Sequence, residues 1–175
     1  EYFAPDATRP LTIVNCDNRL IASAARFRWE AILAEWVSEV QRGFLPRRSM
    51  LANVVDIDEQ AMTISLQQEN GAVILFDFRA AFPSVSHDFI HRSLEHIGLP
   101  RHALNFVKCL YDGNRCDIAL QGMKYPGFSI SAGIRQGCPL SPLLFVTVVD
   151  SLLRGLEKRI PGSFTRAYAD DTAVV

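Results

Sequence analysis

Long apolar runs are missing from this chain. None of its stretches approaches the ~20 residues that a membrane-spanning helix needs, and the opening "EYFAPDATRP" has neither the basic start nor the apolar centre of a secretory signal. A membrane partner is therefore not expected. An excess of charge of one sign is missing too. Eighteen Lys and Arg stand against nineteen Asp and Glu, a formal net charge of −1. That balance neither supports nor excludes a nucleic-acid partner, because binding depends on where the cations cluster. Cysteine is scarce, and Cys16, Cys109, Cys116 and Cys138 form no CxxC pair, which argues against a zinc knuckle or ribbon. Their mostly apolar surroundings read as buried thiols in a reducing, intracellular compartment. Internal repeats and low-complexity segments are absent. What remains is core-forming material: 49% of the 175 residues are apolar and 21% charged, enough for one domain or for a piece of a larger one. The chain stops at Val175 inside an apolar run and reads as a fragment.

Periodicity predicts a mixed α+β fold. Leu20, Ala24, Phe27, Ala31, Leu33, Trp36, Val37 and Val40 recur at helical spacing from Arg19 to about Val40, with Gly43 placed as a stop. After the loop "GFLPRRS", Ser49 is expected to cap a second helix reaching about Gln68. "AVILFDF", 72 to 78, reads as a fully buried strand entered through Gly71. An amphipathic helix with Phe89, Ile90, Leu94 and Ile97 on one face ends at "GLP", and a shorter one runs from about Arg101 to Tyr111. "CDIALQ" and "GFSISAG" are expected as strands joined by "GMKYP". Ser141 and Pro142 fit the N-cap and first position of a long helix, and "FTRAYADDTAVV" reads as strand, acidic tip, strand.

Two placements of acid are anomalous. Asp170 and Asp171 stand side by side between apolar runs, and Asp77 closes "VILFD", part of the chain's most hydrophobic stretch. Carboxylates are costly to desolvate unless a cation meets them. The plain readings are a wet hairpin tip for the pair and a turn cap for Asp77. If the two strands are neighbours, however, the three acids converge. Such hard oxygen donors suit Mg²⁺, which keeps several waters and takes one or two carboxylates plus substrate phosphates. Two such ions form the clamp used for in-line phosphoryl transfer. A third feature is "GIRQGCPLSP", 133 to 142, where Gly133 and Gly137 permit close backbone approach and Gln136 offers donor and acceptor.

"VILFDFRAAFPSVSH", "GIRQGCPLSPLLF" and "YADDTAVV", in this order, resemble the palm motifs of a reverse transcriptase, with wording nearest the non-LTR (LINE-type) retrotransposon branch. "RPLTIVNCDNRLIASAARFR" and "QRGFLPRRSMLANV" resemble that family's fingers blocks, so the likeness spans nearly the whole chain. It implies a right-hand polymerase without its thumb: about 1–71 fingers-like, about 72–175 mainly palm, with a small antiparallel sheet flanked by helices. It also implies Asp77, Asp170 and Asp171 as catalytic metal ligands for two Mg²⁺ ions, with Mn²⁺ as a substitute. Phe82 would be the aromatic gate under the incoming sugar, Gln136 and Gly137 would pack on the nucleotide, and Arg9 would reach its triphosphate. Tyr168 and Ala169 would flank the primer end. The partners implied are an RNA template, a DNA primer and deoxynucleoside triphosphates, with the thumb and any endonuclease region elsewhere in the same polyprotein. The place of action implied is the nucleus, if the host is eukaryotic. Arg47 departs from the pattern: the family usually has Gly there, so either the turn differs or the added charge faces template phosphate.

The alternatives are a degenerate or truncated relative that no longer polymerises, a group II intron type enzyme, and a metal hydrolase. The last has one hook. His87 and His91 in "HDFIH" stand at i, i+4, the zinc spacing on a helix, but no third ligand follows. Trp29 and Trp36, seven residues apart, read as core aromatics.

Overall fold

In the computed structural model, which describes residues 12–67 and 70–175, the elements run α1 (Cys16–Trp36), α2 (Met50–Leu66), β1 (Ile74–Phe76), α3 (Ala81–Ser84), α4 (His87–His96), α5 (Arg101–Tyr111), β2 (Arg115–Leu120), β3 (Met123–Ser129), α6 (Ser141–Arg159), β4 (Thr165–Tyr168) and β5 (Asp171–Val174). β1, β5 and β4 form one antiparallel sheet in that order; β2 and β3 form a separate hairpin. The arrangement is α+β.

α6 is the spine. Its first turns, Leu143 to Val146, are buried, and Ile90 and Leu94 of α4, Val107 and Tyr111 of α5, and Ala22 and Leu33 of α1 join them in one apolar cluster. Each large side chain so buried contributes roughly 1.5–3 kcal/mol. Pro142 sits in the first turn and Lys158 and Arg159 in the last, both favourable to a helix. Ser141 does not cap α6: it lies inside the helix, and no side-chain cap hydrogen bond forms. Asp150, on the same helix and fully buried, accepts hydrogen bonds from Ser38 N, Ser38 Oγ and Arg154 Nε. α6 is thereby tied to the chain just beyond α1.

The structure corrects several other expectations. α1 ends at Trp36 because Val37 turns extended, not because of Gly43. Arg48 takes over the carbonyls left at that end, donating to Ala34 O (2.8 Å), Val37 O (2.9 Å) and Ser38 O. The helix carries two apolar stripes, and the core takes the one through Ala22 and Leu33, leaving Phe27 87% exposed. Ser49 precedes α2 in extended conformation but its side chain makes no cap bond. β1 is shorter than the predicted strand and is not buried. It is an edge strand paired on one side only, and Leu75 is 75% exposed. The β2–β3 turn is Gln121–Gly122, both at positive φ, which suits the twist of a two-residue hairpin; most of "GMKYP" lies in the strand. Of the cysteines only Cys138 is buried, while Cys16 and Cys109 are exposed. Trp29 and Trp36 do pack against the core.

Candidate active site

β5 lies between β1 and β4, and that placement builds the site. Its pairs with β1 are Ile74 with Val174, Leu75 with Ala173 and Phe76 with Thr172. The ladder ends at Phe76 with Thr172; Asp77 is the next residue beyond β1, and Asp171 is the first residue of β5. On the other edge Tyr168 pairs with Asp171, which makes Ala169 and Asp170 the two-residue tip. The sequence reading placed both acids at the tip; only Asp170 is there, while Asp171 opens the strand. Among the described residues no group of three His, Cys, Asp or Glu could hold a metal ion. Asp77 follows β1, Asp170 lies in the turn and Asp171 opens β5.

The tip does not stand alone. Ala169 is left-handed, with φ 58°, a conformation costing an L-residue about 1–2 kcal/mol. Gln41, fully buried, brackets its peptide: Nε2 donates to Ala169 O at 2.9 Å, and Oε1 accepts from Ala169 N at 2.8 Å and from Gly43 N at 2.8 Å. Arg42 N donates to Ala167 O and Ala167 N to Val40 O, so residues 40–42 run beside β4 like a further short strand. Gly43 is required at this contact: a Cβ there would lie 2.2 Å from Ala169 N. These groups belong to the "QRGF" block, whose polar side chain the sequence reading left without a role.

Phe44, at φ 57°, joins the predicted aromatics. Its ring lies 6.3 Å from Tyr168 and 6.3 Å, edge-on, from Phe82, which stacks on Phe145 at 4.0 Å. Phe82 is carried on α3, a short helix with no periodicity to announce it. The "IRQG" loop is fastened to the same helix, with Ile134 N donating to Phe82 O and Gly133 N to Val85 O, both at 2.7 Å. Gln136 and Gly137 are exposed. Gly137 has φ 78°, and a Cβ on it would meet Thr12 O at 2.7 Å. Thus the loop is tied to α3, Phe44 links Phe82 to Tyr168 of the hairpin, and the chain near Thr12 lies against the loop. Arg9 lies outside the described residues. His87 Nε2 is 3.0 Å from Gly133 O, a tie to the loop that takes one nitrogen of the proposed zinc pair.

The turn at Arg47 keeps the geometry that favours glycine, with φ 62°; the departure lies in the residue and not in the backbone. Beside β4, Asp56 of α2 accepts from Arg166 Nε (2.8 Å) and an Arg42 guanidinium nitrogen (2.7 Å). The hydrogen bond from Arg166, then that from Arg42, holds its carboxyl below the usual range.

Residues 4–175 match the family described as reverse transcriptase (RNA-dependent DNA polymerase). The chain is 26% identical over 176 residues to the transposon TX1 uncharacterized 149 kDa protein of Xenopus laevis, covering 95% of this chain and 14% of that protein. It is 30% identical over 179 residues to the retrovirus-related Pol polyprotein from type-1 retrotransposable element R2 of Popillia japonica, covering 95% of this chain and 24% of that one. With the R2DM polyprotein of Drosophila melanogaster it shares 31% identity over 137 residues, 75% of this chain and 13% of the relative. The chain therefore spans a quarter or less of the length of these relatives.

Proposed function

The chain belongs to the reverse transcriptase family, and from that premise we propose that it is the catalytic core of a non-LTR retrotransposon RNA-directed DNA polymerase. The reaction is attack of a DNA primer 3′-hydroxyl on the α-phosphate of a deoxynucleoside triphosphate, templated by RNA, with pyrophosphate leaving. One observation supports the reading: β1, which leads into Asp77, pairs with β5, which opens at Asp171 just after the Ala169–Asp170 turn.

The family uses divalent metal ions. Asp77, Asp170 and Asp171 are hard oxygen donors, the chemistry that suits Mg²⁺ or Mn²⁺, a cation that completes its shell with water and phosphate and needs no all-protein cage. Bound there, two ions would activate the attacking hydroxyl and steady the leaving oxygen. The chain's own part is orientation. Asp77, Asp170 and Asp171 hold the charge. Phe82, backed by Phe145, stands under the sugar. Exposed Gln136 and Gly137 meet the nucleotide, and Arg9 would reach its phosphates with a bidentate fork. The small Ala169, beside Tyr168, leaves room for the primer end. Residues 1–71 would serve as fingers and 72–175 mainly as palm. Grip on the duplex would come from a thumb elsewhere in the polyprotein, with action in the nucleus of a eukaryotic host.

The test is primer extension on an RNA template by the full-length protein. Asp77→Asn or Asp170→Asn should abolish extension and leave primer–template affinity nearly intact, because that affinity rests on basic contacts elsewhere. Wild-type protein that binds template yet extends nothing would favour a relic.

A further inference from the structure

We propose that Gln41 is a positioning residue for the acidic turn: its carboxamide fixes the Ala169 peptide and so sets where Asp170 and Asp171 stand relative to Asp77. The inference rests on the reading of those acids as the metal-bearing groups. Four observations support it. A two-residue tip leaves its own peptide groups without partners in the hairpin ladder, and here both the N–H and the C=O of Ala169 are satisfied by one side chain. The assignment of the amide is fixed by its surroundings, since two backbone N–H groups face Oε1 and one carbonyl faces Nε2. Ala169 holds a left-handed conformation that an L-residue avoids unless its neighbours impose it. Finally, Gln41 is itself anchored, because Arg48 donates to Gln41 O at 2.6 Å while also holding the end of α1.

A buried amide is expensive unless all its polar atoms are paired. An apolar residue of the same volume would fill this space at less risk. Spending the amide on the two peptide groups that flank the Ala169 Cα, next to the acids, gives the turn one conformation, and catalytic carboxylates need that more than the core does. The clamp joins the segment before α2 to the hairpin after α6, so the turn takes its place only when two segments 128 residues apart are in register.

The experiment uses the full-length protein. Gln41→Met keeps the volume and removes all three bonds. Asn53→Leu is the control: it deletes another buried amide, whose Nδ2 donates to Ala167 O at 2.9 Å, two residues before the tip. Two quantities are read: hydrogen exchange of the peptide covering 165–175, and the Mg²⁺ concentration for half-maximal primer extension. In Gln41→Met, exchange should rise about tenfold and the Mg²⁺ midpoint roughly three- to tenfold, with primer–template affinity within about twofold. Asn53→Leu should lower the unfolding midpoint without moving the Mg²⁺ midpoint. If Gln41→Met does not fold, Gln41→Glu replaces it. That variant keeps the acceptor for both N–H groups, and a rise in its Mg²⁺ midpoint is opposite to what an added negative charge alone would cause. An unchanged Mg²⁺ midpoint, or equal shifts in the Gln41 variant and in Asn53→Leu, overturns the proposal. Wild-type protein that extends no primer refutes the polymerase reading instead, and exchange at 165–175 still decides the role of Gln41.

Discussion

Adding one methyl group at Gly43 should do disproportionate damage. An alanine Cβ there would sit 2.2 Å from Ala169 N and 2.9 Å from its Cα, both backbone atoms that cannot rotate away. Ordinary contact begins at 3.4 Å, so the 41–43 segment and the acidic turn must separate by roughly an ångström, beyond the tolerance of a well-packed interior. The two hydrogen bonds from Gln41 to Ala169 across this seam run from 2.8 to 2.9 Å, and a shift of that size breaks them. Each is a buried pair, and losing a net ~1 kcal/mol apiece with the strain of overpacking gives about 3–5 kcal/mol. Against a total stability of about 5–15 kcal/mol that is a large fraction. Urea unfolding of wild type and Gly43→Ala measures it directly, through the shift in midpoint at constant slope. Gly43→Ser should behave alike, since the obstruction is at Cβ. A Gly43→Ala protein within about 0.5 kcal/mol of wild type, the range of ordinary surface changes, would show that the close approach is not real.

Arg47→Gly should stabilise the protein by about 0.5–1 kcal/mol, because relief of the left-handed strain exceeds the added freedom of the unfolded glycine; a destabilised variant would mean that the guanidinium has a contact worth more than the strain. Asp56, its carboxyl held below the usual range by Arg166 and Arg42, stabilises the fold above its unfolded value of about 3.9, and the benefit is lost as pH falls through the lower folded value. The stability difference between wild type and Asp56→Asn should therefore be about 1 kcal/mol near neutral pH and shrink below about pH 4; a difference constant with pH would refute the pairing. Phe82→Ala in the full-length protein should raise incorporation of ribonucleotides relative to deoxynucleotides, measured as a ratio of kcat/KM values. An unchanged ratio would leave Phe82 as a core aromatic stacked on Phe145.

Long helices and the last hairpin were legible because their periodicities are local: α4, α5, α6 and the β4–β5 pair lie within a few residues of their expected bounds. Burial was less legible, since it depends on partners far away in the chain. "AVILFDF" has the composition of a central strand, yet β1 is an edge strand whose exposed side nothing in the described residues covers. On α1 the core takes Ala22 and Leu33 and leaves Leu20, Phe27 and Ile32 exposed, a choice that depends on α6, far away in the chain. At the site, Asp77, Phe82, Gln136, Gly137, Tyr168, Ala169, Asp170 and Asp171 were readable as motif residues. Gln41, Gly43 and Phe44 were not assigned, because their role is to touch the hairpin more than a hundred residues later, a relation that no local spacing records. Arg47 was readable as a departure but not as strain, which needed the backbone angle.

Among the described residues β1 has its only strand partner in β5, and this dictates an order of assembly. A growing chain adds about 5–20 residues per second, so the ~95 residues between the two strands take on the order of 5–20 s to follow. Throughout that interval the strand leading to Asp77 has no ladder to join, and its Ile74, Leu75 and Phe76 offer an unpaired apolar edge to any neighbour. β4 and β5, joined by two residues, can close quickly, and β1 then docks onto a finished hairpin. Asp77 thus meets the acidic turn late in folding, and a nascent chain that stops before residue 171 has no β5 for β1 to pair with and no assembled site.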